Sequence, residues 1–402
     1  MASKLETVQQ TLLEVVRTAG TEPLPLEQCW QRVLAEDVAA DMDFPPFDRS
    51  PLDGYAVIAA EVEAAGRERP VVLREVESVA AGEVPRQIVV PGTTCRIMTG
   101  APLPEGATGV VKLEDTVRLG RRIHILNGAG AARNICRRGE EIAAGEVAVA
   151  AGTLLNSGAM GTLALLGRAR PLVHRRPRVG IIVTGSELAT VDDALPPGKI
   201  HDSNSYMLGA QVRDAGAEPV LFGVIRDDVS AICAVIEKAG DCDMVITTGG
   251  VSVGDYDLAR LVFTRLGIAT LCERVDMKPG MPVLAGLLAD RLVVGLSGNP
   301  AAASIAFEQI IRPLLLKMGG RKAWWRQSAR GTMTKGFAKG SGARRFVWAY
   351  SWLGEAGLLV EPLPLQGNGM LKSAIAANSL IAVEAGSPPI GAGENIEVIL
   401  LH

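Results

Sequence analysis

Four hundred and two residues, 48% hydrophobic, 21% charged and only 4% aromatic, describe a globular chain long enough for two to four domains, and they exclude disorder as its dominant state. Lys+Arg 41 against Asp+Glu 44 gives a formal net charge of −3, so the whole-molecule field has no basic footprint for nucleic acid or an anionic membrane. An anionic ligand must then be held by a local site.

The chain opens on a helix signal. Ser3 stands three residues ahead of Glu6, Leu5, Val8, Leu12, Val15 and Val16 follow at helical spacing, and Gly20 supplies a stop; this predicts a capping box, an amphipathic helix and a glycine end. From about Pro51 to Leu126 the pattern changes to short β-branched runs such as VVLREVESV, RQIVV and GVVKL, which predicts a small all-β unit inserted into the first region. Between Ile135 and Arg170 a strand-like AGEVAVAAGTLL and a helix-like GAMGTLALLG are expected to complete a split α+β N-terminal domain. From Pro177 strands and helices alternate. VGIIVTG, PVLFGV, MVITTGG, IATLCERV and RLVVGLSG are separated by helices over 203–215, 229–239 and 256–266, and followed by one over 301–318. Apolar strands interleaved with amphipathic helices predict a mostly parallel α/β sheet covered on both faces. After Gly320, WRQSARGTMTKGF, ARRFVWAYSWL, GLLVEPL, SLIAVE and ENIEVILL predict a C-terminal β-barrel or sandwich. The expected division is 1–49 with 136–172, 50–135, 173–320 and 321–402.

Six cysteines form no C-x-x-C pair and are expected as reduced, mostly buried thiols. The start, MASKLETVQQ, has no apolar core of the kind a signal peptide carries, and the most apolar stretch, Ala143 to Gly167, is interrupted by Glu146 and Asn156. A cytoplasmic protein with no membrane partner is expected. The histidines at 124, 174, 201 and 402 show no metal-ligand spacing, and no Gly-x-Ser-x-Gly elbow occurs.

In a parallel sheet, ligands bind at the carboxyl ends of the strands. Five turns fall there: Thr184 to Glu187, Arg226 to Asp228, Thr247 to Asp257, Lys278 to Gly280, and Ser297 to Pro300. Gly249 and Gly250 leave room for phosphate oxygens at backbone N–H groups ahead of a helix, so the third turn predicts a phosphate cradle. Glu187, Asp227, Asp228, Asp255 and Asp257 would repel a phosphate unless a cation intervened, which argues for Mg²⁺; helix capping is the alternative role for Asp228 and Asp255. Lys278 is a point charge for an oxyanion, or a solvated turn lysine. His201, beside Asp202, is at least as well explained by a local structural role.

The stretches FPPFDRSPLDGYAV, RIMTGAPLPEGATGVV, RNICRRGEEI, VTGSEL, GVIRDD, TTGGVSVGDYD, MKPG, GLSGNP and QGNGMLKS resemble, in order and spacing, the molybdopterin molybdenumtransferases, the MoeA proteins and the E-domain of gephyrin. The resemblance implies a multidomain chain whose central α/β sheet is like that of the related molybdopterin adenylyltransferases. The implied enzyme takes adenylylated molybdopterin, binds molybdate, and releases AMP as the metal enters the dithiolene, with Mg²⁺. By the same resemblance Asp53, Glu187, Asp227 and Asp257 are catalytic acids, the last three also as metal ligands. Thr99, Gly249, Gly250, Ser252 and Ser297 bind substrate, and Lys278, Pro282, Arg344 or Arg345, and Ser373 bind the oxyanion. It further implies a homodimer whose all-β unit faces the α/β domain of the other subunit, and proteins of the pathway that deliver molybdopterin and accept the product.

Three departures from the family pattern touch the oxyanion region. Met281 stands where a second lysine is usual, Ala302 where serine is usual with Ser304 close by, and Asn368 where serine is common. Tungstate as the preferred oxyanion therefore stays open, as do an adenylyltransferase-like activity and a non-catalytic dimeric scaffold.

Overall fold

A computed structural model describes residues 3–250 and 256–401, with backbone alone at Tyr256 and Asp257. Helix α1, Leu5–Val15, buries Leu5, Val8, Leu12 and Leu13 in the core beneath the α/β sheet. The expected capping box does not form. Ser3 instead pairs as a β-bridge with Val275, its N–H donating to the Arg274 carbonyl at 3.0 Å and its own carbonyl accepting from Asp276 at 2.8 Å. Both main-chain groups of Ser3 are thereby satisfied by a distant segment. Glu6 turns to Arg344, 2.6 Å away, and the helix ends at an extended Val16, short of Gly20.

The described residues within Asp37–Ala150 and Gly161–Arg168 form one compact unit; those within Met1–Glu36, Ala151–Met160 and Ala169–His402 form another. In the first, strands β1 Gly54–Val57, β2 Val71–Val79, β3 Thr93–Ile97, β4 Gly109–Lys112, β5 Thr116–Leu119 and β6 Arg122–Ile125 make one sheet in the order β4-β1-β3-β2-β6-β5. Every neighbouring pair is antiparallel except β2 with β3. Tyr55 and Val57 enter one apolar cluster and Ala56 the other, so the period-2 alternation buries both faces. Burial pushes the Cys95 thiol up to about 12, which makes it unreactive.

Two aspartates anchor the segment leading into this sheet. Asp43 accepts from the Ala144 N–H at 2.9 Å and from Arg138 Nε at 2.6 Å; Asp48 accepts from the Arg138 N–H at 2.8 Å and from Arg137 Nη1 at 2.7 Å. Those backbone hydrogen bonds, then the guanidiniums, hold both carboxyls below the ordinary range. A folded-state pKa below the unfolded value of about 3.9 gives stabilisation that is complete above that value and is lost as pH falls through the lowered one. Asp48→Asn should therefore lower the thermal midpoint at pH 7, and its gap to the parent should close as pH approaches 3. A gap that stays constant across melts at both pH values would contradict this linkage.

In the second unit, β7 Arg178–Thr184, α2 Asn204–Asp214, β8 Glu218–Ile225, α3 Val229–Lys238, β9 Met244–Thr248, α4 Tyr256–Leu266 and β10 Ala269–Arg274 alternate as expected. After β11 Met277–Lys278 the alternation stops. β12 Pro282–Leu288, which the strand pattern did not reveal, and β13 Arg291–Leu296 pair back as antiparallel neighbours. The sheet order is β8-β7-β9-β13-β12-β10, parallel from β8 to β13. Ile181, Ile246 and Val294 face the core that holds α1 and α2, whereas Ile182, Val245 and Val293 face α3 and α4; the sheet is covered on both sides. The single helix expected over 301–318 is two, α5 Pro300–Ala306 and α6 Arg312–Met318, joined by a π-turn over Phe307–Ile311. Pro313 has no N–H for an i→i−4 bond, which accounts for the widened turn ahead of it.

The chain ends in a closed barrel. β14 Ser328–Met333, β15 Arg344–Gly354, β16 Gly357–Pro362, β17 Ser379–Val383 and β18 Asn395–Leu400 pair in the order β15-β16-β14-β18-β17, and β17 returns to β15. A short helix, α7 Lys372–Ala376, precedes β17. Phe346, Trp348 and Leu380 enter the same core as Phe307 and Leu12, so barrel and sheet share one interior.

Candidate functional site

Strand β7 lies between β8 and β9. The chain leaves β7 through α2 to reach β8 on one side, then returns through α3 on the opposite face to reach β9 on the other. A crevice must open at the carboxyl ends of β7 and β9, where the winding reverses. A cavity of about 750 Å³ occupies that position. It is lined by Thr184 to Leu188, Ile200 to Asn204, Asp227, Gly249 and Gly250, and Ser297 to Pro300, with Gly369 and Leu371 from the barrel.

Four of the five sequence-predicted turns meet here. The fifth, Lys278 to Gly280, joins β10 to β12 at the same sheet edge but outside this cavity, because β10 is the outermost strand.

Gly249 takes φ +95°, and a Cβ on it would stand 2.0 Å from the Thr184 carbonyl oxygen. Close approach of the two strand ends at the switch point thus demands glycine. Asn204 locks the neighbouring ends, its Nδ2 donating to Thr248 Oγ1 at 2.7 Å and to the Gly298 carbonyl at 2.9 Å. Ser297 Oγ accepts from the Asn299 N–H at 3.2 Å, and the Ser297 carbonyl accepts from Thr248 Oγ1 at 3.2 Å. Sequence reasoning missed Asn204; its only signal is a polar DSN just before a helix. Two buried atoms of the lining residues, Thr184 Oγ1 and Asn204 Oδ1, have no hydrogen-bond partner among the described residues, as befits a site that receives a polar ligand.

Of the predicted acids, Glu187 and Asp227 line the cavity and are exposed. The Ser186 N–H donates to Asp227 Oδ2 at 2.9 Å, and Lys199 Nζ donates to the Ser186 carbonyl. Asp228 caps α3 through the Ala231 N–H at 2.8 Å, which is the capping alternative. His201 Nδ1 meets the Thr190 carbonyl at 2.9 Å, and buried Asp202 accepts from the Ser205 N–H at 3.1 Å; both hold the local loop. Ser252, Asp255 and the side chain of Asp257 lie outside the described residues. Among those described, no three His, Cys, Asp or Glu side chains gather at metal-binding separation. Two exposed carboxylates at the edge of the cavity nevertheless suit Mg²⁺, which binds through one or two acids plus substrate phosphates.

Of the expected oxyanion residues, Lys278 and Arg345 come side by side where a strand from the sheet edge joins the barrel. β11 pairs in parallel with β15, so Lys278 stands in register with Arg345 and Met277 with Arg344. Arg344 is committed elsewhere, to Glu6, Glu384 and Glu397. Arg345, which lies over the Phe337 ring and is 3.5 Å from the Gly340 carbonyl, has no anionic partner among the described residues. Of the two arginines, it is therefore the one left to meet an anion. Pro282 begins β12, opposite Arg274. Ser373 is buried, its Oγ accepting from the Leu365 N–H at 3.1 Å.

The three departures cluster too. Met281 Sδ lies 3.3 Å from Arg274 Nη2, and the Ala302 N–H donates to the Asn368 carbonyl at 3.2 Å. Ser304 does not stand in for the missing serine; it is buried and accepts from Gln211 at 3.1 Å.

In the other unit Asp53 Oδ1 accepts from both the N–H and the hydroxyl of Thr99, each at 2.8 Å. These bonds hold the carboxyl below its ordinary range. Lys112 and Glu114 line the same open hollow. Gly54 is required beside it, because a Cβ would lie 2.0 Å from the Val111 carbonyl oxygen.

Comparison with known proteins agrees with this architecture. Residues 3–167 match the MoeA N-terminal region (domain I and II), 180–317 a probable molybdopterin binding domain, and 330–401 the MoeA C-terminal region (domain IV). The chain is 38% identical to the molybdopterin molybdenumtransferase of Bacillus subtilis (strain 168) over 95% of its length and 90% of that protein's. For the enzyme of the same name from Staphylococcus aureus (strain MRSA252) the identity is 33%, over 98% and 95%. The crystal structure of the molybdopterin biosynthesis moeA protein from Pyrococcus horikoshii OT3 superposes with a TM-score of 0.86 at 30% identity, covering all of both chains. The chain belongs to the molybdopterin molybdenumtransferase (MoeA) family, enzymes of molybdenum cofactor biosynthesis.

Proposed function

We propose that this enzyme binds adenylylated molybdopterin in the switch-point cavity and inserts molybdate into its dithiolene, releasing AMP in a Mg²⁺-dependent reaction. The observation that carries the reading is the cavity itself: a glycine turn, two exposed carboxylates and two buried polar atoms unpartnered among the described residues, at the carboxyl ends of parallel strands. The Gly249 and Gly250 turn receives the pyrophosphate at its backbone N–H groups. Glu187 and Asp227, with Asp257, would hold Mg²⁺, which when bound would supply positive charge against the phosphate oxygens. Lys278 and Arg345 orient the molybdate beside the barrel. Among the described residues no side-chain nucleophile with an adjacent base lines the cavity, and positioning and charge stabilisation supply the catalysis. Asp53, held as a carboxylate by Thr99, serves the α/β unit of a second subunit in a homodimer.

The test is AMP release from adenylylated molybdopterin with Mg²⁺, titrating molybdate and tungstate in parallel. Release stimulated by molybdate supports the reading, a stronger response to tungstate changes the metal, and tight substrate binding without release under either oxyanion overturns it.

A further inference from the structure

A second cavity, of about 310 Å³, lies at the opposite edge of the α/β sheet. Its walls come from Trp30 to Val33, from His174 to Arg176 ahead of β7, from Arg213 to Gly216 at the end of α2, and from the segment around Arg321 after α6. β7 is seven residues long, so this cavity is about 20 Å from the switch-point crevice. It is lined by five arginines and one carboxylate.

Charge does not balance there. Arg32 is paired with Glu22 at 2.5 Å, Arg175 with Asp243 at 2.7 Å, and Asp214 with Arg326 at 3.4 Å. Arg176, Arg213 and Arg321 have no anionic partner among the described residues. The ends of α2 and α6 face the cavity, and each contributes about half a negative charge. Three guanidiniums against two such ends leave about two positive charges uncompensated. Arg321 is half-buried, where an unpaired charge is costly. His174 Nδ1, on the same wall, is buried with no hydrogen-bond partner among the described residues. Trp30, 51% exposed at the rim, offers a flat apolar face.

We propose that this cavity binds a phosphate dianion, free or as a phosphate monoester, through Arg176, Arg213 and Arg321. Two surplus positive charges match a dianion, planar guanidinium forks match its oxygens, and Trp30 can stack on the ring of an aromatic ester. The site is separate from the one to which the proposed reaction is assigned.

The test follows the His174 imidazole resonance of the full-length protein during titration with inorganic phosphate at constant ionic strength, and again with AMP. His174 lies at this cavity, so the readout is blind to anions held at the switch-point crevice. Saturable shifts are expected, weakened roughly tenfold or more in Arg321→Gln and in Arg213→Gln. Arg213 is exposed at a helix end, so its variant should fold normally. Equal affinities for phosphate and AMP would identify the free anion as the ligand; tighter AMP binding that Trp30→Ala reduces to the phosphate level would identify the ester. An unmoved His174 resonance, or shifts unchanged in both arginine variants, would overturn the proposal.

Discussion

Asp227→Ala should reduce AMP release by roughly 10³-fold while leaving the fold intact. The side chain is exposed at the mouth of the crevice, and its structural tie is one hydrogen bond from the Ser186 N–H. Losing that bond costs about 1 kcal/mol, a small change in the unfolding midpoint of a domain this size. On the proposed reading the catalytic loss is larger, because the negative charge that Asp227 would bring to Mg²⁺ and substrate has no substitute in alanine. Asp227→Asn separates the two effects, since asparagine can still accept from Ser186 but carries no charge. Single-turnover AMP release and a thermal melt on all three proteins decide the matter. Asparagine at parental stability with alanine-like turnover is the expected pattern; parental turnover in either variant removes Asp227 from the site.

Gly249→Ala should be damaging by a different route. The added Cβ would meet the Thr184 carbonyl oxygen at 2.0 Å and its Oγ1 at 2.7 Å, and φ +95° is itself strained for alanine. Relief requires the ends of β7 and β9 to separate, which opens the crevice at its base. A loss of about 3 kcal/mol or more in denaturant unfolding is expected, together with loss of substrate binding. Gly250→Ala is the control. Gly250 also has a positive φ, +65°, but a Cβ there finds its nearest neighbour at an ordinary 3.4 Å, so about 1 kcal/mol of backbone strain is expected alone. Equal unfolding midpoints for the two variants would show that strand approach is not what Gly249 protects.

Much of this was legible from the chain because it is written in local period and composition. β7 to β9 and the helices between them announce themselves by runs such as GIIV and MVITT, and the barrel strands by their β-branched alternation. The glycine turns and acids of the switch point were legible because they fall at strand ends, wherever those strands go. Asn204 was not, and neither were other features that depend on distant partners. The cap at Ser3 lost to a bridge with Val275, a partner more than 270 positions away. β12 was hidden because PVLAGLL reads equally well as a turn and a short helix, and only its neighbours β13 and β10 select the extended form. Arg344 and Arg345 are indistinguishable as GARRF, and only the folded chain surrounds one of them with Glu6, Glu384 and Glu397.

The amino-acid sequence by itself determined most of the elements and their class, because helix and strand propensity and the spacing of apolar side chains act over a few residues. It also determined the chemistry available at each turn, because residue type sets charge and backbone freedom. Tertiary structure alone decided which turns share a cavity, which charges are neutralised and which stay free. Those outcomes depend on strand order and on partners hundreds of residues apart, and electrostatic compensation is a property of distances in the folded chain.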